Sequence, residues 1–161
     1  VALADLYAGK ICAALDRQHP RDLFDVKWLL ENEGLTDEIR KALIIYLSSH
    51  NRPMAELLRP QFKDIAAIYA GEFANMAETD VPLEELVAVR ERLVELIHQG
   101  LTDSEKSFLL SFKNREPDWA LLELDAVSEL PAIKWKQINL AKMPDDKHKL
   151  ALEKLKEVLS V

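Results

Sequence analysis

Glycine is scarce in this 161-residue chain: Gly9, Gly34, Gly71 and Gly100 are the only four. Scattered singly, they build no glycine-rich loop of the kind whose backbone amides cradle a phosphate. Cysteine is scarcer still. Cys12 stands alone, so no internal disulfide can form, and a reducing cytoplasm is the natural compartment. Read on a helix, Cys12 is a small packing residue with no cysteine–histidine dyad around it. No apolar run approaches the ~18 residues of a membrane span, and no basic segment opens the chain as in a signal peptide. The four histidines, His19, His50, His98 and His148, have no spacing that suits zinc. Cations are outnumbered, 21 Lys and Arg against 28 Asp and Glu, for a formal net charge of −7. That balance argues against sequence-independent DNA binding, which draws its affinity from phosphate neutralisation. A local basic patch remains compatible with it.

What is present is a globular composition, with 48% hydrophobic and 30% charged residues, in a chain long enough for one domain, or one domain with two lobes. Period-2 alternation is short or missing, while a period near 3.6 recurs throughout. The expectation is an all-α bundle of about eight helices. The first runs from about Leu3 to Asp16 with a stripe of Leu3, Leu6, Tyr7, Lys10, Ile11, Ala14 and Leu15, and Gln18-His19-Pro20 ends it. Pro20 or Arg21 opens a second helix, since proline's missing N–H costs nothing in a first turn, and Gly34 is its C-cap candidate. Thr36 caps a third, with Ile39, Ala42, Leu43, Tyr46 and Leu47 on one face. After a short piece at Met54–Leu58, a fourth long helix is expected to carry Phe62, Ile65, Tyr69, Phe73 and Met76. Residues 78–82 mark the best lobe boundary. Leu83 to Gln99 follows. Thr102-Asp103-Ser104-Glu105 is a capping box. Further helices are expected over Ala132–Lys142 and Pro144–Leu159.

The stretch "KICAALDRQHPRDLFDVKWLL", residues 10–30, departs from ordinary packing. Lys10 falls on the apolar stripe, where an unpaired buried ammonium costs several kcal/mol. Either it snorkels to water from the edge of the stripe, or the stripe faces a cleft and Lys10 points at an anion such as a phosphate. In the next helix Asp22 and Asp25 are spaced i,i+3, which brings their Cβ atoms to roughly 5–6 Å. Carboxylates that close repel unless a cation sits nearby. Arg21, Lys10 or a metal ion are the candidates; Arg21 and Asp25 are spaced i,i+4 for a surface pair.

The string as a whole, a lysine on the stripe, an Asp-Arg-x-His-Pro turn, then Arg-Asp-Leu-Phe-Asp entering an aromatic helix, resembles the nucleotidyltransferase AbiEii/AbiGii toxin family, the toxin arm of abortive-infection toxin–antitoxin systems. "LTDSEKSFLLSF", "PDW" and "AIKWKQINLAKM" resemble the C-terminal region of that family, so the resemblance covers nearly the whole chain. It implies a polymerase-β-like nucleotidyltransferase that uses Mg²⁺ and a nucleoside triphosphate. The Gly-Ser turn and Asp-x-Asp strand that would bind the metal do not occur here. Glu123 and Asp125 in "LELDAV" lie downstream of RDxxD with no glycine turn before them and are rejected as that motif. The resemblance therefore implies that residues 1–161 are the C-terminal helical domain, with the nucleotidyltransferase core upstream of it and no metal site or cofactor of its own. It implies that Lys10 contacts nucleotide phosphates, with Arg17 adding to the positive face. It implies that Asp22 and Asp25 are the late acidic motif and the catalytic carboxylates, Asp25 orienting a base or a supporting side chain, and that Arg21 fixes this motif and belongs with Lys10 and Arg17 to the nucleotide-binding set. An antitoxin and an acceptor RNA are the implied partners, and the chain alone is expected to be inactive. The rival reading is a free-standing helical interaction module without catalysis.

One more cluster draws notice. Trp135 lies between Lys134 and Lys136, with Lys142, Lys147 and Lys149 after it. Such a patch can meet nucleic acid. The plainer expectation is an amphipathic helix with Trp135 inward and the lysines solvated.

Overall fold

The computed structural model describes residues 3–75, 80–122, 124 and 127–161. Among these there are nine α-helices and no strand, so the all-α expectation holds. The helices are α1 (Leu3–Arg17), α2 (Pro20–Asn32), α3 (Asp37–Ser49), α4 (Met54–Leu58), α5 (Ala66–Ile68), α6 (Leu83–Gly100), α7 (Asp103–Lys113), α8 (Pro131–Lys142) and α9 (Asp145–Leu159). No described helix is long and apolar enough to cross a membrane.

Local signals set most of the boundaries. Gly34 takes φ +75°, a conformation costly for residues with a Cβ, and its N–H and that of Glu33 both return to the Leu29 carbonyl to close α2. Thr36 accepts the Ile39 amide and starts α3. At α7 both halves of the capping box form: Thr102 accepts from the Glu105 amide, and Glu105 accepts from the Thr102 amide at 2.9 Å. α2 begins at Pro20 with an uncommon cap, the His19 ring, whose Nδ1 accepts the Arg21 amide at 3.1 Å. Its Nε2–H then points at Glu72, 2.8 Å away.

α1 packs on α3 and α2, and α2 in turn on α6. Gly9 permits the close approach of α1 to α3, since a Cβ there would stand 3.3 Å from the Tyr46 hydroxyl. One apolar core runs through residues on both sides of 78–82, from Ile11 and Leu23 to Phe108 and Leu155. Of the proposed lobe boundary, residues 78 and 79 lie outside the described residues. Cys12 is buried in this core, and burial, with Asp16 nearby, pushes its thiol up to about 11. It is a packing residue with no appreciable thiolate.

Two expectations fail here. The stripe of α1 is rotated: Ala8, Ile11, Cys12, Ala14 and Leu15 are buried, while Leu3 and Leu6 are half exposed or more. Lys10 is therefore on the flank of the packed face. The fourth long helix does not form. Residues 61–65 are irregular, and only Ala66–Ile68 is α-helical, running into a π-turn at Tyr69–Phe73. Met76 lies outside the described residues. The cause is tertiary. Gln18, at φ 54° and buried, donates from its amide to the Gln61 carbonyl at 3.0 Å and accepts the Lys63 N–H at 3.0 Å. The same oxygen accepts from Arg90 Nη1 at 2.9 Å, and that nitrogen also donates to the Lys63 carbonyl at 2.8 Å. Backbone groups needed by a helix are thus taken by side chains, and Phe62 turns outward beneath the Arg90 guanidinium at 4.6 Å.

Between the halves of the chain lies a buried ion pair. Arg40 Nε donates to Glu105 at 2.7 Å, and both side chains are almost fully buried. The carboxylate and Asp37 hold the Arg40 guanidinium above its usual range. Glu105 therefore caps α7 and anchors α3 at once.

Candidate functional site

The two-residue turn Gln18-His19 folds α2 back along α1, so side chains of the two helices face each other. Lys10 meets Asp25, its Nζ donating to Oδ2 at 3.2 Å, with both side chains about 40% exposed. One step nearer the turn, Arg17 Nη2 donates to Asp22 Oδ1 at 2.7 Å. One step farther away, the rings of Tyr7 and Trp28 meet with centroids 6.4 Å apart and planes tilted by 37°. Lys10, Arg17, Asp22 and Asp25 all line a single open cavity of about 420 Å³, completed by Leu6, Gly9, Ala13 and Tyr46.

Four of the five candidate residues are thus brought together. Arg21 is not among them. Its side chain is exposed, and the i,i+4 spacing to Asp25 yields no ion pair, because Asp25 turns toward Lys10 on α1. Arg17 takes the bracing position assigned to Arg21. The two carboxylates are relieved of mutual repulsion by separate cations, one each. Asp22 is the more enclosed, only 13% exposed, and its Oδ2 is buried with no hydrogen-bond partner among the described residues. A buried carboxylate oxygen left without a donor is costly. Sequence reading missed Tyr46 and Gly9 as parts of this wall. A glycine inside a helix, about 1 kcal/mol worse than alanine, was the available hint of a close approach.

The cleft can hold an anion on Lys10 and Arg17 once Asp25 yields its cation. Both carboxylates are engaged by cations, and the described residues contain no group of three or more His, Cys, Asp or Glu able to hold a metal. Glu123 and Asp125 lie outside the described residues.

The lysine cluster of α8 is arranged otherwise than expected. Trp135 is 61% exposed instead of inward, Ile133 and Leu140 take the core positions, and Lys136 is half buried. With a helix rotation of about 100° per residue, a tryptophan two positions after one core residue and five before the next falls off their shared face.

No curated protein and no solved structure matches the chain. The family described as "Nucleotidyl transferase AbiEii toxin, Type IV TA system" matches residues 1–138, which include the whole α1–α2 cleft, and the chain belongs to this toxin family.

Proposed function

We propose that the chain is the helical part of an AbiEii-type nucleotidyltransferase toxin and that its α1–α2 cleft completes the nucleotide site. The observation that carries this reading is the convergence of Lys10, Arg17, Asp22 and Asp25 on one cavity, with Asp22 Oδ2 buried and unpartnered. Lys10 and Arg17 take phosphate oxygens of a nucleoside triphosphate. Asp25 positions Lys10, and Asp22 awaits a donor from the ligand or from the catalytic core. The magnesium ion and its carboxylate ligands are assigned to that core and not to these residues. Leu3, Leu6 and Trp28, exposed on the cavity rim or at the same end of the helix pair, offer an apolar surface against which the core can sit. The remaining surface is left for acceptor RNA or antitoxin, and the chain by itself is expected to transfer nothing.

The same exposed apolar residues support the alternative of a stand-alone helical interaction module. Charge reversal separates the two. In a protein that joins this chain to its nucleotidyltransferase core, Lys10→Glu is expected to reduce nucleotide transfer at least about 100-fold, as loss of a phosphate-holding cation does. The helical circular dichroism should be unchanged. Full activity in that variant, or Mg²⁺-dependent transfer by the chain alone, would overturn the reading.

A further inference from the structure

A second cavity, of about 330 Å³, opens between the C-terminal end of α3, the end of α7 and α8. Its size is that of a small-ligand pocket. Lys113 and Lys136 line it together with Trp135, Asn51, Asn139 and Ser49, and no carboxylate is among its lining residues. Lys113 is only 3% exposed as a residue, its ammonium is not among the fully buried polar atoms, and it makes no hydrogen bond or ion pair among the described residues. Glu56 shares a smaller neighbouring cavity of about 140 Å³ with Lys113 but makes no ion pair with it. Burial pushes the Lys113 and Lys136 ammoniums down; the Glu56 carboxylate partly offsets this at Lys113, and Lys113 adds to the effect on Lys136. Holding two ammonium groups beside each other in a part-dry cavity is unfavourable unless an anion joins them.

The walls are braced. Arg115, at φ 70°, donates to the carbonyls of Leu140 at 3.0 Å and Met143 at 2.6 Å. His148 donates to the Lys113 carbonyl at 2.7 Å. These bonds tie the end of α7 to the α8–α9 junction, so the spacing of Lys113 on α7 and Lys136 on α8 is set before any ligand arrives. Trp135, 61% exposed, lines the same cavity.

We propose that this cavity is a second ligand site, separate from the α1–α2 cleft, that takes a phosphate-bearing nucleoside, with the phosphate on Lys113 and Lys136 and the base against Trp135. Two ammonium groups supply charge-assisted hydrogen bonds to phosphate oxygens. The indole supplies a stacking face that tolerates any base, and the two asparagine amides offer donors and acceptors to its edge. The ligand is either a free mononucleotide or one nucleotide of a single-stranded RNA.

The test follows the indole N–H resonances of the isotope-labelled chain, Trp135 being assigned by Trp135→Phe, during titration with adenosine 5′-monophosphate and, separately, a short oligoadenylate. A saturable shift of Trp135 that leaves Trp28 unmoved is expected, because Trp28 lies at the α1–α2 end of the molecule. Affinity should fall about tenfold in Lys113→Met and in Lys136→Gln, each having lost one charge-assisted bond. Saturation by the mononucleotide identifies a free nucleotide as sufficient. Saturation by the oligonucleotide alone identifies an RNA strand. Lys113→Met keeps the buried volume, and Lys136→Gln changes a half-exposed residue, so at least one variant should retain the fold. No saturable Trp135 shift with either probe, or affinity unchanged in both lysine variants, overturns the proposal.

Discussion

The two cavities use the same side chain in opposite ways. At the α1–α2 cleft each cation has a carboxylate, Lys10 with Asp25 and Arg17 with Asp22, and the Lys10 pair is about 40% exposed. At the α7–α8 cavity Lys113 is buried and unpaired among the described residues, with half-buried Lys136 beside it. A ligand entering the first must displace Asp25, and the gain is only the difference between two ionic contacts. A ligand entering the second relieves an existing electrostatic cost. The first arrangement suits a site completed by other groups, and the second suits one that already favours an anion.

The buried Arg40–Glu105 pair calibrates what pairing is worth between these extremes. Glu105→Ala leaves a buried guanidinium with only the exposed Asp37 and removes the reciprocal cap of α7. A loss of about 3–5 kcal/mol in urea unfolding is expected. Asp25→Ala, which breaks a half-exposed pair, should cost under about 1 kcal/mol. Equal losses for the two would erase the distinction drawn from burial.

Next in size is the lysine contrast. Lys113→Met removes the charge of a mostly buried lysine that makes no ion pair among the described residues while keeping its volume, and should stabilise by on the order of 1 kcal/mol at neutral pH. Lys10→Met should stay within about 0.5 kcal/mol. A pH series sharpens this. Burial lowers the folded pKa of Lys113, so across that interval the unfolded chain binds more protons than the folded one, and stability rises with pH. The advantage of Lys113→Met should therefore shrink as pH climbs from the lowered pKa toward the ordinary lysine value. An advantage that does not change with pH in thermal melts would mean that packing, not charge, causes it.

The smallest expected effect concerns the first cleft alone. Asp25→Asn frees Lys10, so a triphosphate should bind the chain a few-fold more tightly, on the order of 0.5–1 kcal/mol for one half-exposed ionic competitor. In a protein carrying the catalytic core, the same change should lower kcat while lowering KM, because Lys10 is no longer held in position. Unchanged triphosphate affinity in a calorimetric titration would show that Asp25 does not compete for Lys10.

Helix number, most boundaries and the caps at Thr36, Gly34 and Thr102 were legible in the sequence, because caps and 3.6-residue periodicity act over one or two turns. Lys10, Asp22 and Asp25 could be named together from the i,i+3 spacing of the two aspartates and from the family resemblance, and the structure places all three on one cavity. Arg17 and Arg21 could not be ranked that way. They lie one helical turn apart across a kink whose direction depends on Gln18 at positive φ. The break in the expected helix over 62–76 was equally hidden. Its cause sits at Gln18, in the turn after α1, and at Arg90 on α6, 27 or more residues away along the chain.

The sequence by itself determined an all-α chain, its capped helices, its family membership and the residues that could hold charge. Those properties depend on neighbours within a few positions or on the string as a whole. Only the tertiary structure decided which charges are paired. Lys10 and Lys113 both fall within amphipathic helices, and nothing local distinguishes them. What separates them is what the fold brings near, Asp25 on α2 in one case and Lys136 across a shared cavity in the other. That opposition arises from long-range burial of the apolar faces, which fixes how helices are rotated without regard to the charges on their flanks.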